Sequence, residues 1–247
     1  MSAPTTTTST AWDVPRLREA ARDGAALVAA HGEGTDYLSK VELSEAVLRW
    51  AHNTFGDGLT TASSMGDEAL VDLVGRTIGE ADVFFIDTGY HFPETLATRD
   101  HYATSTPVSI RTIAPLQSLA EREAALQDWS PERCCGNRKV EQLNQAVAGR
   151  TAWITGMRRV DAPTRTDIEV VSFDEKRQMV KINPLAAWDD EDLETYVFHY
   201  DVHLNPLRQQ GYASIGCAPC TRPVAPGEDA RAGRWAGQAK TECGLHT

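Results

Sequence analysis

The sequence predicts an α/β protein built on a mainly parallel sheet flanked by helices, and three observations carry that prediction. Short apolar runs suited to strands alternate with amphipathic helical stretches, the pattern of βαβ units. Several of the runs end in turns rich in Ser, Gly, Asp or Pro, where a parallel sheet exposes its ligand-binding edge. With 247 residues, 41% of them hydrophobic, the chain can bury a full core as one elaborated domain.

The polar opening, MSAPTTTTST, has neither the basic nor the apolar stretch of an export signal. Residues 1–35 are therefore expected to be a partly disordered lead-in, with the α/β domain spanning 36–221. Leu43, Ala46, Val47 and Trp50 mark the buried face of a first helix. A strand over 59–63 leads into Ser63-Ser64-Met65-Gly66-Asp67, which opens a second helix with Leu70, Leu73, Val74, Thr77 and Ile78 as its inner face. The N–H groups and hydroxyls of that turn could face an anion at the positive helix end, or act as ordinary caps. The most apolar strand, 82–86, runs into Asp87-Thr88-Gly89-Tyr90-His91-Phe92-Pro93. Asp87 could accept from a ribose or an adenine amino group, or cap a helix starting near Pro93. Strands over 108–113 and 151–155 continue the sheet. Segments 170–173 and 179–182 read as a hairpin around Asp174-Glu175-Lys176-Arg177. The acids after Trp188 begin a helix whose inner face is Leu193, Tyr196, Val197 and Tyr200. Residues 222–247, broken by Pro and Gly and poor in large apolar side chains, are expected to form a mobile C-terminal tail.

A net charge of -11 argues against a nucleic-acid partner, and no apolar run is long enough for a membrane span. Without an export signal a cytoplasmic location is expected, where disulfides do not persist; the odd count of five cysteines agrees. Arg133, Arg138, Lys139, Arg158, Arg159, Arg165, Arg222, Arg231 and Arg234 lie beside the cysteines or between them and the C-terminus. On an acidic chain this clustering suggests a local site for a small anion, although any one of these residues alone could be a solvated surface charge.

The cysteines fall into two adjacent residues, Cys134-Cys135, a Cys217-Ala218-Pro219-Cys220 pair, and the solitary Cys243. Neighbouring Cα atoms about 3.8 Å apart are poorly placed for a relaxed disulfide. Four thiolates suit either a four-cysteine zinc site or a 4Fe-4S cluster. Adjacency favours several irons over one tetrahedral ion, and the spacing alone leaves both open. If Gly136 opens a helix, Lys139 lies about one turn on, where its charge would offset that of the thiolates. Cys243 has His246 three residues later and Arg231 and Arg234 on the same tail, a combination that suits a nucleophile delivered with an anion clamp.

The runs Cys134-Cys135-Gly136-Asn137-Arg138-Lys139-Val140, Ser214-Ile215-Gly216-Cys217-Ala218-Pro219-Cys220-Thr221 and Glu242-Cys243-Gly244-Leu245-His246 resemble signatures of the assimilatory sulfonucleotide reductases. They are most similar to those of the iron-sulfur, thioredoxin-dependent adenosine 5′-phosphosulfate (APS) reductases of bacteria, and the resemblance runs from about Leu59 to the C-terminus. It implies a Rossmann-like fold of the adenine nucleotide alpha hydrolase (PP-loop) type and reduction of APS to sulfite and AMP. Cys243 would attack sulfur, and thioredoxin would release sulfite from the resulting S-sulfocysteine. The resemblance makes Cys134, Cys135, Cys217 and Cys220 ligands of a 4Fe-4S cluster and sets Lys139 between cluster and substrate. It assigns Ser63, Ser64, Gly66 and Asp67 to a modified PP-loop, and Asp87, Thr88 and Gly89 to an Asp-Thr-Gly motif. Gly156, Arg158, Arg159 and Arg165 fall on an arginine-bearing loop, and Arg231, Arg234 and His246 on a tail closing over the phosphosulfate. Three alternatives remain: 3′-phosphoadenosine 5′-phosphosulfate (PAPS) as sole or second substrate, a non-catalytic zinc module, and an ATP-using adenylating enzyme, against which the lysine-free loop argues. The oligomeric state is left open.

Overall fold

Six strands form a single sheet in the order β3-β2-β1-β4-β6-β5. The computed structural model describes residues 12–115, 121 and 130–236. Strands β1 (Leu59–Ser63), β2 (Asp82–Ile86), β3 (Ser109–Ile113), β4 (Ala152–Ile154) and β6 (Met179–Ile182) are mutually parallel. Strand β5 (Val171–Asp174) pairs antiparallel with β6, Val171 facing Ile182, as a hairpin requires. The expected α/β class and mainly parallel sheet are thus present, with strand ends differing by a residue or so from the sequence expectation. Chain order reverses direction at β1, whose neighbours are β2 and β4, and such a switch point leaves a crevice at the carboxyl ends of the strands.

Alternation along the strands sends side chains to two separate cores. Val83, Phe85, Ile154, Val180 and Ile182 pack against the helices α1 (Val14–His31), α2 (Tyr37–Phe55), α3 (Glu68–Ile78) and α7 (Asp190–Tyr200), through Leu17, Val47, Leu48, Leu70, Val74 and Tyr196. Phe84, Trp153 and Met179 face the other way, onto Leu143, Ala146 and Val147. Helix α4 (Pro93–Ser105) begins at the proline that the sequence marks.

The expected lead-in, 1–35, contains α1. Asp13 caps it by accepting from the Arg16 N–H at 2.9 Å, and Leu17, Ala20, Ala21, Gly24 and Val28 are buried beneath it. Its inner face is largely Ala and Gly, so a reading weighted toward large apolar residues passes over it. Nor does Gly136 open a helix. It lies inside a continuous helical run made of α5 (Pro131–Cys135), a π-helical turn (Gly136–Val140) and α6 (Glu141–Val147). Among the described residues, no helix is long and apolar enough to cross a membrane.

Candidate active site

The carboxyl ends of β1, β2 and β4 open into a cavity of about 630 Å³. Ser63, Ser64, Gly66, Asp67, Thr88, Lys139, Gly156, Arg158, Arg165, Arg231 and Arg234, all expected from the sequence, line it. Asp87, Gly89 and Arg159 do not. Cys243 and His246 lie outside the described residues.

After β1 the chain turns on its own side chains. The Ser63 hydroxyl donates to Asp67 Oδ1 at 2.7 Å and accepts from the Met65 N–H at 3.1 Å, while the Ser64 N–H donates to Asp67 Oδ1 at 3.1 Å. Asp67 keeps some contact with the cavity space but is surrounded by protein. Burial first, then the neighbouring Glu68, push its carboxyl up to about 6, against the opposing effect of the Ser63 and Ser64 hydrogen bonds and of Arg208. Gly156 permits this close packing, since a Cβ there would stand 3.1 Å from the Asp67 side chain.

An aspartate whose pKa is raised on folding favours the native state only while protonated. That contribution is present below the ordinary aspartate value near pH 4 and is lost as pH rises through about 6. Asp67→Asn is therefore expected to increase unfolding free energy at pH 7.5 by on the order of 2 kcal/mol, with little gain near pH 4. Urea titrations at the two pH values check this; an equal gain at both would point to a cause other than ionisation.

The Asp87-Thr88-Gly89 turn is built for shape. Asp87 Oδ1 accepts from the Gly89 N–H at 2.8 Å, and Gly89 has φ 74, which favours glycine. Thr88 presents its hydroxyl 3.2 Å from Cys217 Sγ, and its carbonyl accepts from Arg138 Nε at 2.7 Å. The Ala218 N–H donates to the Tyr90 carbonyl at 2.7 Å. Both cysteine-bearing segments therefore grip this one turn.

Cys134, Cys135, Cys217 and Cys220 line a second, small pocket together with Tyr90, Arg138, Pro219 and Trp235. Thr88, Lys139 and Arg234 line this pocket and the large cavity alike, so they stand between the two. Burial, then the nearby Cys217 and Cys134 thiols, push the Cys220 thiol up, with Lys139 and Arg234 acting in the opposite direction. Buried Arg138 also lies over the Tyr90 ring, 5.2 Å from its centre. Among the described residues, no three His, Cys, Asp or Glu side chains are gathered closely enough to hold a single metal ion.

The paired arginines part company. Arg158 donates through Nε to Asp161 at 3.0 Å and through Nη2 to Asp190 at 2.9 Å, at the cavity wall. Arg165 joins the same Asp161 at 3.2 Å. Arg159 instead donates to the Ile168 carbonyl at 2.9 Å and pairs with Glu33 between α1 and α2. Arg158 is the extended residue that caps the 3₁₀ turn Arg159–Asp161, and Arg159 is the first residue within it, so adjacency in sequence does not put both side chains in one site.

The segment assigned by sequence to a tail begins bonded to the domain. Thr221 and Arg234 form an antiparallel bridge, the Arg222 N–H donates to the Gly233 carbonyl at 2.9 Å, and the Trp235 N–H donates to the Cys220 carbonyl at 2.9 Å. Arg234 reaches the Ser214 hydroxyl and the Ile215 carbonyl at 3.2 and 3.1 Å. It lies so close over Gly216 that a Cβ there would be 2.5 Å from the guanidinium carbon.

Sequence reasoning missed Glu68, Asp161, Asn205 and Arg208, which either line the cavity or brace its walls. An ion pair joins buried Glu68, 1% exposed, to partly exposed Arg208, 140 positions away. The only local signal was Asn205-Pro206, a capping residue ahead of a proline-started turn.

Residues 58–223 match the family described as the phosphoadenosine phosphosulfate reductase domain. The chain is 52% identical over 204 residues to an adenosine 5′-phosphosulfate reductase of Streptomyces coelicolor, covering 81% of this chain and 86% of that protein. It is 46% identical over 244 residues to one of Rhodococcus opacus, covering 93% and 94%. Among solved structures, the phosphoadenylyl-sulfate reductase of Candida auris in a phosphate complex superposes with a TM-score of 0.61 at 29% identity, over 73% of this chain and 90% of that one. An FMN adenylyltransferase of Candida glabrata reaches 0.57 at 13% identity over 84% and 75%, a likeness of fold alone. With more than half its length matched and relatives close to half identical, the chain belongs to the phosphoadenosine phosphosulfate reductase domain family.

Proposed function

We propose that this protein is a cytoplasmic APS reductase that forms sulfite and AMP and uses thioredoxin as reductant. The observation carrying the reading is the wall of Thr88, Lys139 and Arg234 shared by an anion-suited cavity and a pocket of four thiols. Relatives named as APS reductases at 46% and 52% identity support APS over PAPS.

The four cysteines fit a 4Fe-4S cluster. Each iron of such a cluster takes one thiolate, so the sulfurs need to face one pocket without converging on a single point, and Cys134, Cys135, Cys217 and Cys220 do face one pocket. When bound, the cluster would supply a fixed local charge and hold the two cysteine segments together. Arg138, Lys139 and Arg234 around the pocket provide compensating positive charge.

In the proposed reaction the substrate occupies the large cavity, its phosphosulfate near Lys139, Arg158, Arg165, Arg231 and Arg234. The Cys243 thiolate attacks the sulfate sulfur, forming an S–S bond as the sulfur–oxygen bond to phosphate breaks. The bonding pair leaves on AMP, where the cations stabilise the developing charge. A thioredoxin thiolate then attacks Cys243 Sγ, sulfite departs with the S–S electron pair, and the second thioredoxin thiol resolves the mixed disulfide. The two electrons that reduce the sulfur come from that dithiol.

The test is mass spectrometry of protein prepared without oxygen and incubated with APS alone. A single added sulfonate on the peptide containing Cys243, with AMP released and no sulfite until thioredoxin is added, is expected. Absence of an adduct at Cys243 under those conditions would sink the mechanism, and faster turnover of PAPS than of APS would reassign the substrate.

A further inference from the structure

The loop after β1 has a backbone that its sequence does not favour. Met65, fully buried, has φ 55, in the left-handed region that non-glycine residues seldom occupy. Such a conformation is strained and persists only where its surroundings impose it. Here the Ser63 hydroxyl accepts from the Met65 N–H, and the rest of the support is one 3₁₀ turn, Pro206–Gln210, capped by the fully buried Asn205.

Asn205 Nδ2 donates to the Met65 carbonyl at 3.1 Å and to the Thr95 hydroxyl at 3.0 Å. Its N–H donates to Glu68 Oε1 at 2.8 Å, and its Oδ1 accepts from the Leu207 N–H at 3.1 Å. Arg208 Nη2 donates to the Gly66 carbonyl at 2.6 Å and to Glu68 Oε2 at 3.1 Å. Two successive carbonyls are thus held by one turn. A trans peptide is planar with its C=O and N–H opposed, so fixing the Met65 and Gly66 carbonyls fixes the N–H groups of Gly66 and Asp67 in the opposite directions. Both of those residues line the cavity. Consecutive N–H groups at a change of backbone handedness form a concave anion site, and the start of α3 adds its dipole.

We propose that Asn205 and Arg208 are positioning residues of the substrate loop, holding the Met65 and Gly66 carbonyls so that the two following N–H groups are presented to an anionic group of the nucleotide. This rests on the sulfonucleotide reading above. It also adds a link that reading lacks, because the chain that forms this clamp continues through Ser214 and Ile215 into Cys217 and Cys220.

The experiment compares Arg208→Gln, Arg208→Lys and Asn205→Asp in the full-length, cluster-loaded protein, measuring KM and kcat for APS and the dissociation constant of AMP by calorimetry. Arg208→Gln removes the charged donor to the Gly66 carbonyl and also the partner of the Glu68 carboxylate; with both bonds to the loop weakened, KM should rise and AMP binding weaken by about tenfold or more, with kcat within about twofold and iron content unchanged. Arg208→Lys, which retains one charged donor for the Gly66 carbonyl, should recover most of the loss. Asn205 is fully buried, so its variant counts only where it folds, and Arg208, with about a quarter of its side chain exposed, keeps the test decisive. A folded Arg208→Gln protein with wild-type KM and AMP affinity overturns the inference. If the wild type makes no sulfite from APS, the functional reading fails instead, and AMP binding by the variants still judges the clamp.

Discussion

Replacing Cys243 with serine is expected to stop sulfite formation from APS, lowering the rate by about a thousandfold or more, while APS still binds and iron content is unchanged. A serine hydroxyl is a far weaker nucleophile than a thiolate at neutral pH. Even a slow transfer to serine would end in a sulfate ester, which has no S–S bond for a dithiol to exchange. The defect therefore lies in two successive steps, and added thioredoxin does not repair it. A sulfite-specific assay, paired with calorimetric titration of APS, checks the expectation. Retained turnover would move the chemistry to another residue.

The second large effect is expected at Glu68. Its carboxylate, 1% exposed, accepts from the Asn205 N–H at 2.8 Å and pairs with Arg208 at 3.1 Å. Glu68→Ala removes both acceptors and leaves a guanidinium facing a protein interior. Breaking a buried pair from one side commonly costs 3–5 kcal/mol, and because Arg208 retains some exposure a loss of about 3 kcal/mol is expected. Glu68→Gln keeps an acceptor for Asn205 and should lose less. Urea denaturation of both variants measures the difference. Equal losses would mean that shape, rather than charge, dominates at this position.

The parts of the fold that were legible in the sequence are those whose pattern is local. Strands β1, β2 and β6 are short apolar runs closed by turn residues, and their limits match those expected. The four cysteines, read from the sequence as one set, are brought to one pocket, whereas of the Asp87-Thr88-Gly89 turn only Thr88 lines the cavity and the other two shape the turn. Helix α1 was not legible, since alanine and glycine bury well but carry little hydropathy signal. Arg159 followed Arg158 in sequence but diverged in space, because Arg158 is the extended cap of a 3₁₀ turn that Arg159 opens and Glu33 draws Arg159 away. Asn205 and Arg208 could not be assigned from sequence, because their partners Met65, Gly66 and Glu68 lie 137 to 142 positions distant. Their role exists only after the chain has folded.

The π-helical turn over Gly136–Val140 is a statement about angle. A π turn holds one residue more than the α-helix around it, and each residue of an α-helix advances the azimuth by about 100°. The surplus residue therefore sets the rotational phase of Cys134 and Cys135 relative to the Leu143, Ala146 and Val147 face that packs under the sheet. Excising the exposed Asn137 would remove that surplus and leave the two groups nearly in phase, whereas winding all five residues as uniform α-helix would turn one group past the other by roughly a quarter turn. Either the thiols would leave their pocket or the inner face would leave the sheet. A single extra residue thus acts as a phase shifter, allowing one helix to satisfy the apolar core and the thiol pocket together.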